Sequence, residues 1–166
     1  MRWHSRICTL QSVEDGESTM NMRSARIVGP SLLEIASVSV PALPDGHCLV
    51  RVEAAALNPT DVKHLASGMS YYGAAKASTT APVPFGSEGS GVVVIAAGGF
   101  AVGDEVCFLM DKMRTERSQP CEGSLSDYVC VHPLHMAKIW NGASLDAAAG
   151  TPLALLTAYL LRTIHM

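Results

Sequence analysis

Across residues 47–57 apolar and polar side chains alternate, with Val50, Val52, Ala54 and Ala56 on one face and Arg51 and Glu53 on the other; the alternation then stops at Asn58-Pro59-Thr60-Asp61. A period of two marks a strand with one face on a core. The four residues that end it read as a helix start. Asparagine suits the N-cap, proline the first helical position, and aspartate sets a carboxylate against the positive helix end. The spacing predicts about two turns, ending at Ser67-Gly68. The chain thus passes from strand to short capped helix within a few residues, and most of its other ordered signals are strands again.

Residues 23–28 predict a first strand turned by Gly29-Pro30. Residues 34–40 predict a second, with Ala36, Val38 and Val40 on one face and Ser37 and Ser39 on the other. Pro41, Pro44 and Asp45-Gly46 form the connection to the third. The apolar run 92–96, bounded by Gly91 and Gly98-Gly99, predicts a buried strand. Gly103-Asp104-Glu105 turns into another at 106–110, and residues 125–131 and 136–139 add two more. Residues 111–122 are charged and irregular, hence a surface loop. Helical signals return at Ser144 and Pro152, and residues 153–161 are almost wholly apolar. That stretch is far below the roughly 20 residues of a membrane span, and a helix apolar all round expects cover on every side. The predicted class is mainly β (α+β). A flexible arm over 1–21 precedes one domain over 22–143, and a helical stretch follows over 144–166.

Composition narrows the partners. A formal net charge of -3 offers no basic stripe for nucleic acid. The five cysteines, Cys8, Cys48, Cys107, Cys121 and Cys130, include no C-x-x-C pair. The N-terminus has Arg2 and Arg6 but no apolar signal core, and Glu14, Asp15 and Glu17 follow. Reduced thiols and a cytoplasmic location are the expectation, with no membrane partner.

Five motifs then occur in order: AALNPTD at 55–61, PFGSEGSGVVV at 84–94, GDEV at 103–106, GSLSDYV at 123–129 and AAAGTPLALLTAY at 147–159. Together they resemble the GroES-like domain of the medium-chain dehydrogenases/reductases. Within that family they are most similar to the zinc-independent quinone oxidoreductases and the fungal trans-acting enoyl reductases that serve polyketide synthases. The resemblance implies a partly open β-barrel with a short capped helix and a C-terminal helical stub. Members continue into a doubly wound nucleotide-binding domain, and here only its lead-in helix is recognisable. The chain is therefore expected to be a truncated member that lacks activity alone.

A dinucleotide site needs G-x-G-x-x-G after a strand and before a helix, so that backbone amides reach the pyrophosphate. The densest glycine cluster, Gly86, Gly89 and Gly91, has Val94 in the place of the third glycine and precedes a strand. It reads as a tight turn with close backbone packing. NADPH is the cofactor the resemblance implies, and the chain alone is expected to bind it poorly. In the zinc-dependent branch a cysteine and a histidine stand where Asn58 and Ser87 stand here. Neither residue is a usual zinc ligand, so no zinc is expected. Cys130-x-His132-x-x-His135 has metal-ligand residue types, but Pro133 interrupts it and a surface edge strand is the simpler reading.

By the resemblance, Asn58 lies beside nicotinamide and substrate, although a plain helix cap explains it too. Asp61 has both a structural reading, fixing the first turn, and a place by the substrate cleft. Glu88 corresponds to an acidic residue beside that cleft, whose partner is expected from the nucleotide-binding domain. Tyr71 and Tyr72 are candidates for the tyrosine that protonates the enolate, or solvent-facing loop residues. Thr157 lies on the helix that passes under the cofactor, where core packing explains it equally well. Relatives transfer a hydride from NADPH to the β-carbon of an enone or enoyl thioester, with the enolate stabilised by hydrogen bonds. The implied partners are such a substrate, a polyketide synthase, and a second copy through the apolar helix. The competing reading is a non-catalytic module that binds a hydrophobic small molecule or a synthase.

Overall fold

The computed structural model describes residues 20–69, 76–110 and 122–164. Its strands are β1 (Asn21–Gly29), β2 (Leu32–Ser39), β3 (Cys48–Ala56), β4 (Val83–Pro84), β5 (Glu88–Ile95), β6 (Glu105–Leu109), β7 (Tyr128–Val131) and β8 (Met136–Lys138). Three helices, α1 (Pro59–Ser67), α2 (Leu145–Ala149) and α3 (Pro152–Ile164), join them, with a 3-10 turn at Pro133–His135.

Two antiparallel sheets form the body, in the orders β2-β1-β4 and β7-β3-β5-β6-β8. The segment 125–127 sews them together. Ala25 N–H donates to the Leu125 carbonyl at 2.8 Å and Asp127 N–H to the Arg23 carbonyl at 3.0 Å, while Val52 N–H donates to the Asp127 carbonyl at 2.9 Å. The Asp127 carboxylate adds bonds to Arg23, with Nη2 2.8 Å from Oδ1 and Nε 3.2 Å from Oδ2. Register shifts between Leu49 and Val50 and between Val52 and Ala54 interrupt the β3–β5 ladder. Such irregularities bend and twist a sheet, which curves it into the partly open GroES-like form. The main core packs Val50, Val52, Val93, Val106, Phe108 and Val129 between the strands.

The predicted inward face of β3 holds for Val50, Val52 and Ala54, which are buried, while Ala56 at its end is half-buried. Arg51 and Glu53 form an ion pair on its other face, 2.7 Å apart. Some boundaries differ from expectation. β1 starts at Asn21, and β5 starts at Glu88 rather than Val92, because residues 88–91 pair with both β3 and β6. β4 was not predicted, being two residues long and containing a proline. Residues 125–127 leave the predicted 125–131 strand to bridge the sheets. α1 ends as expected at Gly68, whose φ of 65° is the left-handed value a C-cap needs.

α3 carries the expected apolar stretch without the cover that such a helix needs. It touches β5 and β6, but residues 154–163 are exposed, so the apolar stretch is not covered on every side. Leu155 is 64% exposed and Tyr159 67%, and Leu156, Leu160 and Leu161 are exposed beside them. No described helix is long and apolar enough to cross a membrane.

Candidate functional site

The strand-to-helix switch after β3 brings four polar side chains into one buried knot. Asn58 is the N-cap of α1. Its backbone N–H donates to Asp61 Oδ2 at 2.6 Å, and Asp61 N–H donates to the Asn58 carbonyl at 2.9 Å. This satisfies orphan groups of the first turn and sets a negative charge at its positive end. Ser87, just before β5, donates its hydroxyl to the same Asp61 oxygen at 3.3 Å.

The first residue of β5 joins the knot from below. Asn58 Nδ2 donates to Glu88 Oε1 at 2.8 Å, and Leu153 N–H, in the first turn of α3, donates to Glu88 Oε2 at 2.7 Å. A buried carboxylate is costly unless hydrogen-bonded, and here both oxygens are used. The partner expected from a further domain is thus supplied by α1 and α3. Asp61, Ser87 and Glu88 are all fully buried.

Above this knot lies a cleft of about 460 Å³ between α1 and α3, lined by Asn58, Pro59, Thr60, Leu153 and Thr157 among others. Two sequence-assigned residues, Asn58 and Thr157, therefore face one space. Thr157 donates its hydroxyl to the Leu153 carbonyl at 2.7 Å, leaving its oxygen free to accept. Asp61 and Glu88, assigned to the cleft from sequence, are not among its lining residues. Full burial places them behind its wall, where they hold Asn58. Tyr71 and Tyr72 lie outside the described residues.

The residue types at Asn58 and Ser87 are tied up in hydrogen bonds and offer an amide and a hydroxyl. Among the described residues no group of three His, Cys, Asp or Glu side chains is placed to hold a metal ion. Cys130 is buried, its thiol 3.9 Å from the Ala42 carbonyl. His132 instead caps the 3-10 turn, its Nδ1 accepting from Leu134 N–H at 3.2 Å.

Sequence reasoning missed two features. One is the use of the Leu153 amide, for which a sequence carries no signal because it is backbone. The other is a buried cluster in which Glu122 accepts from the Ser24 hydroxyl at 2.6 Å and pairs with Arg26. These residues are joined only by the pairing of the 122–127 segment with β1. A further groove of about 430 Å³, lined by Cys107, Leu134, Met136, Trp140, Leu155 and Leu156 among others, runs between β6, β8 and α3.

A curved β domain with one capped helix at its mouth and a second helix leaving over the cap is the architecture of a reductase's first, GroES-like domain. The chain belongs to the medium-chain dehydrogenase/reductase family: the alcohol dehydrogenase GroES-like domain matches its residues 44–141. It is 34% identical over 123 residues to the enoyl reductase component of lovastatin nonaketide synthase from Aspergillus terreus, covering 72% of this chain and 31% of that protein. It is 29% identical over 128 residues to a zinc-type alcohol dehydrogenase-like protein of Schizosaccharomyces pombe, covering 77% of this chain and 36% of that one. The quinone oxidoreductase of Coxiella burnetii shares the fold with a TM-score of 0.65 and 25% identity, over 85% of this chain and 44% of that one. The chain thus spans about a third of the length of these curated relatives.

Proposed function

We propose that this domain is the substrate-side wall of an NADPH-dependent reductase of conjugated C=C bonds, acting on an enone or an enoyl thioester. The observation that carries the reading is the cleft in which Asn58 and Thr157 stand on opposite walls. Its kinship with the Aspergillus terreus enoyl reductase component supports the substrate class, and by the same analogy a synthase is the macromolecular partner.

NADPH supplies a hydride when bound. The residues here fit its nicotinamide end but not its pyrophosphate, since these 166 residues contain no G-x-G-x-x-G turn. In this reading Asn58 orients the polar end of the bound pair, held from behind by Glu88 and Asp61. Thr157 offers an acceptor to an amide N–H from the α3 side, and Leu153, Ala154 and Leu161 give the cleft an apolar flank. Affinity for the phosphates has to come from a nucleotide-binding half, so the chain alone binds NADPH weakly or not at all and is inactive.

The test joins this chain to the nucleotide-binding half of the Aspergillus terreus relative and follows NADPH oxidation with an enone. Activity that needs Asn58 is expected. Turnover of an enone by the unjoined 166 residues, or tight saturable NADPH binding to them in calorimetry, overturns the reading.

A second reading is favoured by the apolar groove beneath α3: a non-catalytic module that holds a hydrophobic small molecule or a synthase surface. Saturable binding of an apolar ligand, lost on Leu156→Asp, together with a joined chain that stays inactive, selects it.

A further inference from the structure

Both walls of the cleft hang from one carboxylate. Asn58 lines it from the mouth of α1 and Leu153 from the first turn of α3. Behind them Glu88 takes Asn58 Nδ2 on one oxygen at 2.8 Å and Leu153 N–H on the other at 2.7 Å. We propose that Glu88 is a positioning residue, which sets the spacing of the two walls and holds the Asn58 amide in one of its two flip states, nitrogen inward. That geometry belongs to the chain itself, while its use in binding rests on the cleft being the ligand site proposed above.

The physical reason lies in the donor inventory. The two ends of an asparagine amide are nearly the same size, and turning the group exchanges a donor for an acceptor. An ionised carboxylate only accepts, so Asn58 has to give it nitrogen. The flipped amide would set an oxygen against a charged oxygen in a dry place, leaving a buried charge under-bonded. Glu88 cannot follow Asn58 outward without abandoning Leu153 N–H, one of the orphan donors at the positive end of α3. Its backbone is fixed as well, paired with Ala56 of β3 and Leu109 of β6. A ligand that pulls on Asn58 therefore pulls on α3 through a single side chain.

Glu88→Gln tests this. The Leu153 N–H is backbone and cannot turn, so the new amide oxygen stays with it and the new NH2 faces Asn58, which meets it by turning its own oxygen inward and its NH2 toward the cleft. In nitrogen–proton correlation spectra the wild-type Asn58 side-chain NH2 should exchange at least about tenfold more slowly than that of an exposed asparagine, as a bond to a charged group implies. In Glu88→Gln that protection should be lost while the Leu153 amide keeps its own. Asn58→Asp alone sets two carboxylates together and should lower the thermal midpoint, and adding Glu88→Gln to it puts an NH2 opposite the new carboxylate and should raise the midpoint again. Free exchange of the wild-type Asn58 NH2, or a double variant no more stable than Asn58→Asp alone, overturns the proposal. The wild-type measurement decides even if Glu88→Gln does not fold. None of these readouts uses a ligand, so failure of NADPH binding in a joined enzyme defeats the functional reading and leaves this one standing.

Discussion

Gly89 of β5 lies so close to Ala54 of β3 that a methyl group on it would sit 2.7 Å from the Ala54 carbonyl oxygen and 2.9 Å from Phe108 Cζ. The next glycine along, Gly91, faces the Arg51 carbonyl more tightly still for the same added methyl. These glycines let two strands approach where the β3–β5 ladder slips. They are packing residues, and their role has nothing to do with cradling phosphate.

Gly89→Ala should therefore destabilise the fold by about 1–3 kcal/mol, the usual cost of overpacking a core. Denaturant titration should show a lower midpoint at unchanged slope. A stability equal to the wild type would mean the strands are free to separate there.

The Asp104 carboxyl is held below its ordinary value, first by the Lys138 ammonium 2.7 Å away and then by the Ala101 N–H. A depressed carboxylate stabilises the fold above its unfolded value and loses that contribution as pH falls through the lower folded one. Asp104→Asn should thus be less stable than the wild type at neutral pH. The gap should close as pH drops below about 4, read from urea midpoints across pH.

The exposed face of α3 carries Leu155 and Tyr159 one turn apart. An apolar patch of this kind drives association, and the proposed outcome is a dimer, or larger species, in size-exclusion chromatography. Leu155→Lys with Tyr159→Lys should return a monomer and abolish binding of an exposed-hydrophobe dye. A wild-type chain that elutes as a clean monomer without dye binding removes the dimer.

Burial pushes the Cys107 thiol up, and the nearby Glu88 charge adds to the shift. The thiolate is the reactive form, so Cys107 should resist alkylation at neutral pH while the protein is folded. Mass spectrometry after brief iodoacetamide treatment should find it unmodified, and modified once denaturant is present.

Most of the β framework was legible because each element carries its own periodicity. Residues 47–57 announce β3 by alternation, Asn58-Pro59 announces α1, and Gly68 its end. β4 escaped notice because two residues have no period, and the early start of β5 because its first residues, Glu88 to Gly91, have no apolar alternation. Their strand character comes only from partners on both sides. The apolar run of α3 announced a helix that needs cover, and which of its residues stay exposed was set by tertiary contacts.

The site divides along the same line. Residue identity alone determined the chemistry on offer: an amide at Asn58, a hydroxyl at Ser87, a carboxylate at Glu88, and no G-x-G-x-x-G turn among these 166 residues. Those are properties of side chains and of spacing, which folding does not alter. Which groups meet was decided only in three dimensions, where Glu88 reaches both Asn58 and the Leu153 amide and so falls behind the cleft instead of lining it. A hydrogen bond to a backbone N–H has no letter in the sequence, and burial depends on what the rest of the chain packs above a residue.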